Sequence, residues 1–89
     1  MPKSIHRAEY RILLRLLREL RMSAGVTQTR ASASLGRVQS FVSDVERGVR
    51  RLDVVQLRDL CIALGTDLPS FVAAFERSMG SSRARKATK

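Results

Sequence analysis

The sequence predicts an all-α domain of five short helices, and three observations carry that prediction. Apolar residues recur at helical spacing along most of the 89-residue chain. No stretch shows the apolar–polar alternation of a half-buried strand. Glycines at positions 25, 36, 48 and 65 fall where periodic stretches stop, the usual place for a residue that tolerates the left-handed backbone. The length fits one compact domain with a modest core, of the size often supported by a partner subunit.

The first helix is expected over about residues 7–23. Ile12, Leu13, Leu16, Leu17 and Leu20 fall on one arc, and Arg11, Arg15 and Arg18 lie opposite. Tyr10 and Leu14 widen the apolar arc beyond what a small core requires. Thr27 offers a hydroxyl N-cap to a short second helix ending near Ser34. Gly36 separates it from a third helix over about residues 38–47. There Val38, Phe41, Val42 and Val45 form one side, Gln39, Ser40, Ser43, Asp44 and Arg47 the other, and Glu46 the border. Asp53 caps a fourth helix to about Leu64, with Val54, Leu57, Leu60, Cys61 and Leu64 expected inward. Asp67 caps a fifth carrying Leu68, Phe71, Val72 and Phe75, with Pro69 tolerated in its first turn. The domain is expected to occupy residues 1–79, and residues 80–89, which lack apolar periodicity, a disordered basic tail.

Seventeen basic residues, fourteen of them arginine, stand against eight acidic ones, a formal net charge of +9. That excess predicts a polyanionic partner, nucleic acid before an anionic membrane. The basic face of the first helix also suits a membrane surface, but its apolar arc is better accounted for by packing in the bundle. No segment approaches the roughly 20 apolar residues needed to span a bilayer, and the arginines after Tyr10 interrupt any secretory signal, so a cytoplasmic location is expected. The single cysteine, Cys61, allows no internal disulfide and reads as a packed core residue. One histidine, His6, far from that cysteine, gives no foothold for a metal site and reads as a solvated residue. No nucleophile–base–orienter set is visible, so an enzyme is not expected, and neither is a cofactor.

Two short helices joined by a glycine-containing turn form the unit that presents its second helix to a DNA groove. That second helix needs one apolar side to seat it and one side of short polar groups. Glutamine suits base reading because its amide donates and accepts at once, matching adenine N6 and N7. Gln39, Ser40, Ser43 and Asp44 have this character. Asp44 has two readings, accepting from a cytosine amine or orienting a neighbouring arginine, and the second is preferred.

Between about Leu17 and Val72 the chain resembles the phage repressor and Cro-type helix-turn-helix regulators, the xenobiotic-response-element (XRE) family. The carriers are Leu17-Arg18-Glu19-Leu20-Arg21, Ala24-Gly25-Val26-Thr27-Gln28, Leu35-Gly36, the run from Gln39 to Gly48, and Cys61-Ile62-Ala63-Leu64-Gly65, all in register. The resemblance implies a five-helix lambda-repressor-like domain that binds double-stranded DNA as a homodimer and represses transcription at an inverted repeat. It places Gln39, Ser40, Ser43 and Asp44 at base-reading positions. Thr27, Gln28, Arg37, Arg47, Arg50 and Arg51 fall at phosphate-facing positions, with Gln28 also bracing Gln39. Arg21 and Glu46 match a partly buried salt bridge that orients the reading helix. The chain departs from the family in its second helix, where Thr29-Arg30-Ala31-Ser32 replaces acidic residues followed by leucine and alanine. Ala31 leaves core volume for Leu14 or Phe41 to fill. An antitoxin of a toxin pair, binding both its own promoter and a protein partner, is the alternative reading.

Overall fold

The computed structural model describes residues 7–87, with side-chain burial described for residues 7–80. Five helices follow in order: α1 (Ala8–Ala24), α2 (Gln28–Ser34), α3 (Phe41–Glu46), α4 (Val54–Ala63) and α5 (Leu68–Ala87). No strand occurs among the described residues. His6 lies outside them.

Local signals account for the breaks. Gly25 adopts a left-handed conformation after α1, and its amide bonds back to the Arg21 and Met22 carbonyls. The Thr27 hydroxyl accepts from the Arg30 amide at 3.1 Å, capping α2. Asp53 and Gln56 form a reciprocal capping box at the start of α4. Asp67 accepts from the Ser70 amide at 2.8 Å and starts α5.

Packing joins α1 to α3 and α5, α2 to α3 and α4, and α4 to α5. The core comprises Leu17, Ala31, Phe41, Val42, Val45, Leu60, Cys61, Leu64 and Phe71, flanked by half-buried leucines of α1, α4 and α5. Phe41 and Ala31 are both buried members of this cluster, and Leu14 packs against it from α1. Burial and the nearby Asp67 carboxylate push the Cys61 thiol up, keeping it protonated as a core group.

Three expectations from the sequence are corrected. The third helix starts at Phe41, three residues later than its apolar spacing suggested, because residues 38–40 form a turn closed by Phe41 N–H to Val38 O at 3.0 Å. Val38 therefore escapes the helical wheel and is 72 % exposed. Val54 is exposed too, since it opens α4 and the inward side is set by Leu57, Leu60, Cys61 and Leu64. Val72 turns outward beside the buried Phe71. The helical backbone of α5 continues past Gly80 to Ala87.

Two interactions seat α3. The Ser32 hydroxyl, wholly buried on α2, accepts from the Val42 amide at 3.0 Å and satisfies one first-turn donor of α3 from outside the helix. At the other end, Glu46 accepts from Arg21 Nε at 2.6 Å and Nη2 at 3.2 Å. It also accepts from Gln28 Nε2 at 2.9 Å, while Arg21 Nη1 donates to the Val26 carbonyl at 2.8 Å. The paired side chains are only 12 % and 7 % exposed. One carboxylate thus ties α1, α2 and α3 together.

The turn between α2 and α3 depends on Gly36, whose φ of +65° is left-handed and which has open space where a Cβ would stand. Gly36→Ala meets no clash but forces an L-residue into that region, so thermal or denaturant unfolding is expected to show a loss of about 1–2 kcal/mol. Glu46→Ala leaves the Arg21 guanidinium enclosed without its carboxylate. Urea unfolding is expected to show a loss of about 3 kcal/mol, and a loss below about 1 would mean that the pair does not organise the bundle.

Candidate nucleic-acid interface

Helix α3 presents two opposite chemical sides. Phe41, Val42 and Val45 are buried, and Ser43 and Asp44 are half-exposed on the other side. Gln39 and Ser40 are exposed in the turn leading into α3, one step before the helix on which the sequence placed them. The Ser40 side chain makes no capping bond, because Ser32 serves the first turn instead. Its hydroxyl stays available for an outside partner. Gln39, likewise, makes no hydrogen bond within the described residues.

The Asp44 carboxylate accepts from Arg47 Nη2 at 2.7 Å, one turn along. Its backbone carbonyl accepts from the Val49 and Arg50 amides, at 2.8 and 3.2 Å, turning the chain sharply after α3. Asp44 therefore positions Arg47 and the following loop, and its bonded carboxylate is a poorer candidate for a base contact than the residues before it.

Gln28 faces Glu46 with its amide nitrogen, and no bond links it to Gln39. The bracing of Gln39 that the resemblance implied is not formed; the Gln28 amide donates to the Glu46 carboxylate at 2.9 Å instead. Thr27 is exposed at the start of α2 with its hydroxyl bonded to the Arg30 amide.

The arginines form a rim around this surface. Arg37, before the turn that leads into α3, and Arg50, after α3, each place the guanidinium carbon 5.0 Å from the centroid of the Phe41 ring. One buried aromatic thus supports two cations, which lie within about 10 Å of each other by that geometry. Arg51 lies 5.6 Å from the Tyr10 ring on α1. Arg11, Arg15 and Arg18 of α1 line, with Arg47, a shallow cleft beside the end of α3. Its single acidic lining residue, Glu46, is already engaged by Arg21 and Gln28, so the cleft is electropositive.

Sequence reasoning missed three of these features. Ser32 read as one of several small residues, although its hydroxyl is buried against α3. Phe41 read as core alone, although its ring also carries Arg37 and Arg50. Tyr10 read as surplus apolar surface, whereas its ring supports Arg51. Only the crowding of arginines on both sides of an aromatic residue hinted at the second of these.

The described residues contain no cluster of histidine, cysteine and carboxylate groups able to hold a metal ion. Among them no helix is long and apolar enough to cross a membrane.

Comparison with known proteins agrees with this geometry. A helix-turn-helix domain family matches residues 12–74. An XRE-family like protein from Pseudomonas syringae pv. tomato str. DC3000 is similar in structure, with a TM-score of 0.77 and 47 % sequence identity, over 84 % of this chain and 92 % of that one. The clp gene regulator ClgR from Corynebacterium glutamicum shares the fold at a TM-score of 0.74 and 23 % identity, over 91 % of this chain and 86 % of that one. No curated protein sequence matches. The arrangement of α2, the glycine turn and α3, together with these matches over most of its length, shows that the chain belongs to the XRE-type helix-turn-helix family of non-enzymatic, DNA-binding transcriptional regulators.

Proposed function

We propose that the protein is a dimeric repressor, working in the cytoplasm, that reads an inverted-repeat operator through the major groove. Gln39, Ser40 and Ser43 face base edges. Asp44 acts by holding Arg47, and Arg37, Arg47, Arg50 and Arg51 contact backbone phosphates, with Thr27 and Gln28 at the flank of the contact. The observation that carries the reading is the exposed, unbonded state of Gln39 and Ser40 at the mouth of a helix whose far side is fully buried.

Each arginine set by an aromatic ring loses less freedom on meeting a phosphate, because stacking already restricts its side chain. Phosphate contacts fix the register of the protein on the duplex, and base contacts then choose the sequence. In dimers of this class the two reading helices stand about one helical turn apart, about 34 Å, so that operator symmetry mirrors protein symmetry.

Operator sites selected from a random duplex pool supply the DNA for the test. Gln39→Ala is expected to reduce the preference for selected over random duplex by about 1–3 kcal/mol, measured by competition binding. Equal weakening on both DNAs would remove Gln39 from the reading set. Arg50→Ala is expected to weaken both DNAs alike and lower the slope of log K against log salt by about 0.9, the contribution of one phosphate contact. An unchanged slope would remove Arg50 from the phosphate set.

A further inference from the structure

Four arginines line one cleft, and no acid in its lining is left to neutralise them. Arg11, Arg15 and Arg18 recur at spacings of four and three along one side of α1, and Arg47 meets them from the end of α3. All four are exposed. Glu46, the single carboxylate in the lining, already accepts from Arg21 and Gln28. Arg11 and Arg18 have no hydrogen-bond or ion-pair partner among the described residues. Arg15 stands 3.9 Å from Glu19, an exposed pair of little strength in water. Arg47 donates through Nη2 to Asp44 and keeps its other guanidinium hydrogens for a further acceptor.

The cleft adjoins the loop that carries Arg50 and Arg51. Gly48, where that loop begins, is part of the lining, and Arg51 lies over the ring of Tyr10, the neighbour of Arg11 in sequence. Like charges gathered in this way repel one another, and a cleft of one sign concentrates the field that draws in an anion. From Arg11 to Arg18 the helix rises about 10 Å, the distance over which one strand of duplex DNA carries about three phosphates.

We infer that the cleft takes backbone phosphates of duplex DNA next to those met by Arg50 and Arg51, with Arg11 and Arg18 as the α1 residues that bind them. The inference rests on the DNA-binding reading above and extends its phosphate contacts from the helix-turn-helix and the following loop to α1. Planar guanidinium forks match phosphate oxygens two at a time. Such contacts read no sequence; they add affinity and fix how the protein lies on the duplex. An anionic membrane suits the cleft less well, because the leucines of α1 that would have to enter the lipid pack on the core. An acidic peptide would find Leu14 as the one apolar side chain to cover.

The salt dependence of binding to the selected duplex, followed by fluorescence anisotropy, tests this, with circular dichroism to establish that each variant is folded. The Arg11→Gln/Arg18→Gln double variant is expected to lower the slope of log K against log salt by about 1.8, two phosphate contacts at about 0.9 each. Its preference for selected over random duplex is expected to stay as it is in the unaltered protein. Arg11→Lys/Arg18→Lys keeps both charges and is expected to keep the slope. Arg77→Gln, which removes a charge from the exposed surface of α5, is expected to keep it as well. An unchanged slope in the glutamine double variant overturns the inference. So does an equal fall per charge in Arg77→Gln, which would mark a loss of overall charge rather than of a contact. If the glutamine double variant instead loses binding to vesicles of equimolar phosphatidylserine and phosphatidylcholine, with its DNA slope unmoved, the cleft serves a membrane and the inference is overturned. Each of these results leaves the assignments of Gln39 and Arg50 to their own tests. If the unaltered protein binds neither duplex, the inference falls together with the reading it rests on.

Discussion

Glu46 rides on α3 while accepting hydrogen bonds from a side chain of α1 and another of α2. The orientation of the short third helix depends on that convergence. Six residues make fewer than two turns, far too little to hold a direction by backbone bonding alone. Three buried apolar residues anchor one side of α3, yet an apolar contact resists rotation about the helix axis only weakly. The forked Arg21–Glu46 pair supplies the angular restraint, because two roughly parallel hydrogen bonds tolerate little twist. The buried Ser32 hydroxyl fixes the opposite end of the same helix. Net stabilisation by a pair so enclosed is modest, since both ions give up hydration; its value here is in geometry.

The rim of the surface follows from this rigid centre. Phe41 is anchored in the core by its packing, and its ring in turn carries Arg37 from before α3 and Arg50 from after it. The positions of these cations are thereby tied to the same helix that exposes Ser43. Asp44 does related work, holding Arg47 by its side chain and the Val49 and Arg50 amides by its carbonyl. Charge across the interface is thus arranged by local contacts, while the excess of arginine over the whole chain supplies the long-range attraction for a polyanion.

Much of the fold was legible in the sequence because helix signals are local. Capping residues Thr27, Asp53 and Asp67, and glycine stops at 25, 36, 48 and 65, mark element ends without reference to tertiary structure. What failed did so where periodicity was extrapolated past those signals. Val38 matched the wheel of α3 but belongs to the preceding turn, and Val54 and Val72 matched apolar arcs at positions the core does not reach. At the site, residue types identified the exposed face of α3. They did not identify what Gln28 would bond to, since Gln39 before α3 and Glu46 at its end both offer an acceptor and only the packed geometry chooses between them.

The most direct measurement is backbone amide NMR of the full chain titrated with a duplex carrying the selected operator. Shifts concentrated on residues 37–51, with intermolecular contacts from the Gln39 and Ser43 side chains to base protons, are the predicted result. Shifts confined to α5 or to the outer side of α1, with the amides of α3 unmoved at saturation, would contradict the account.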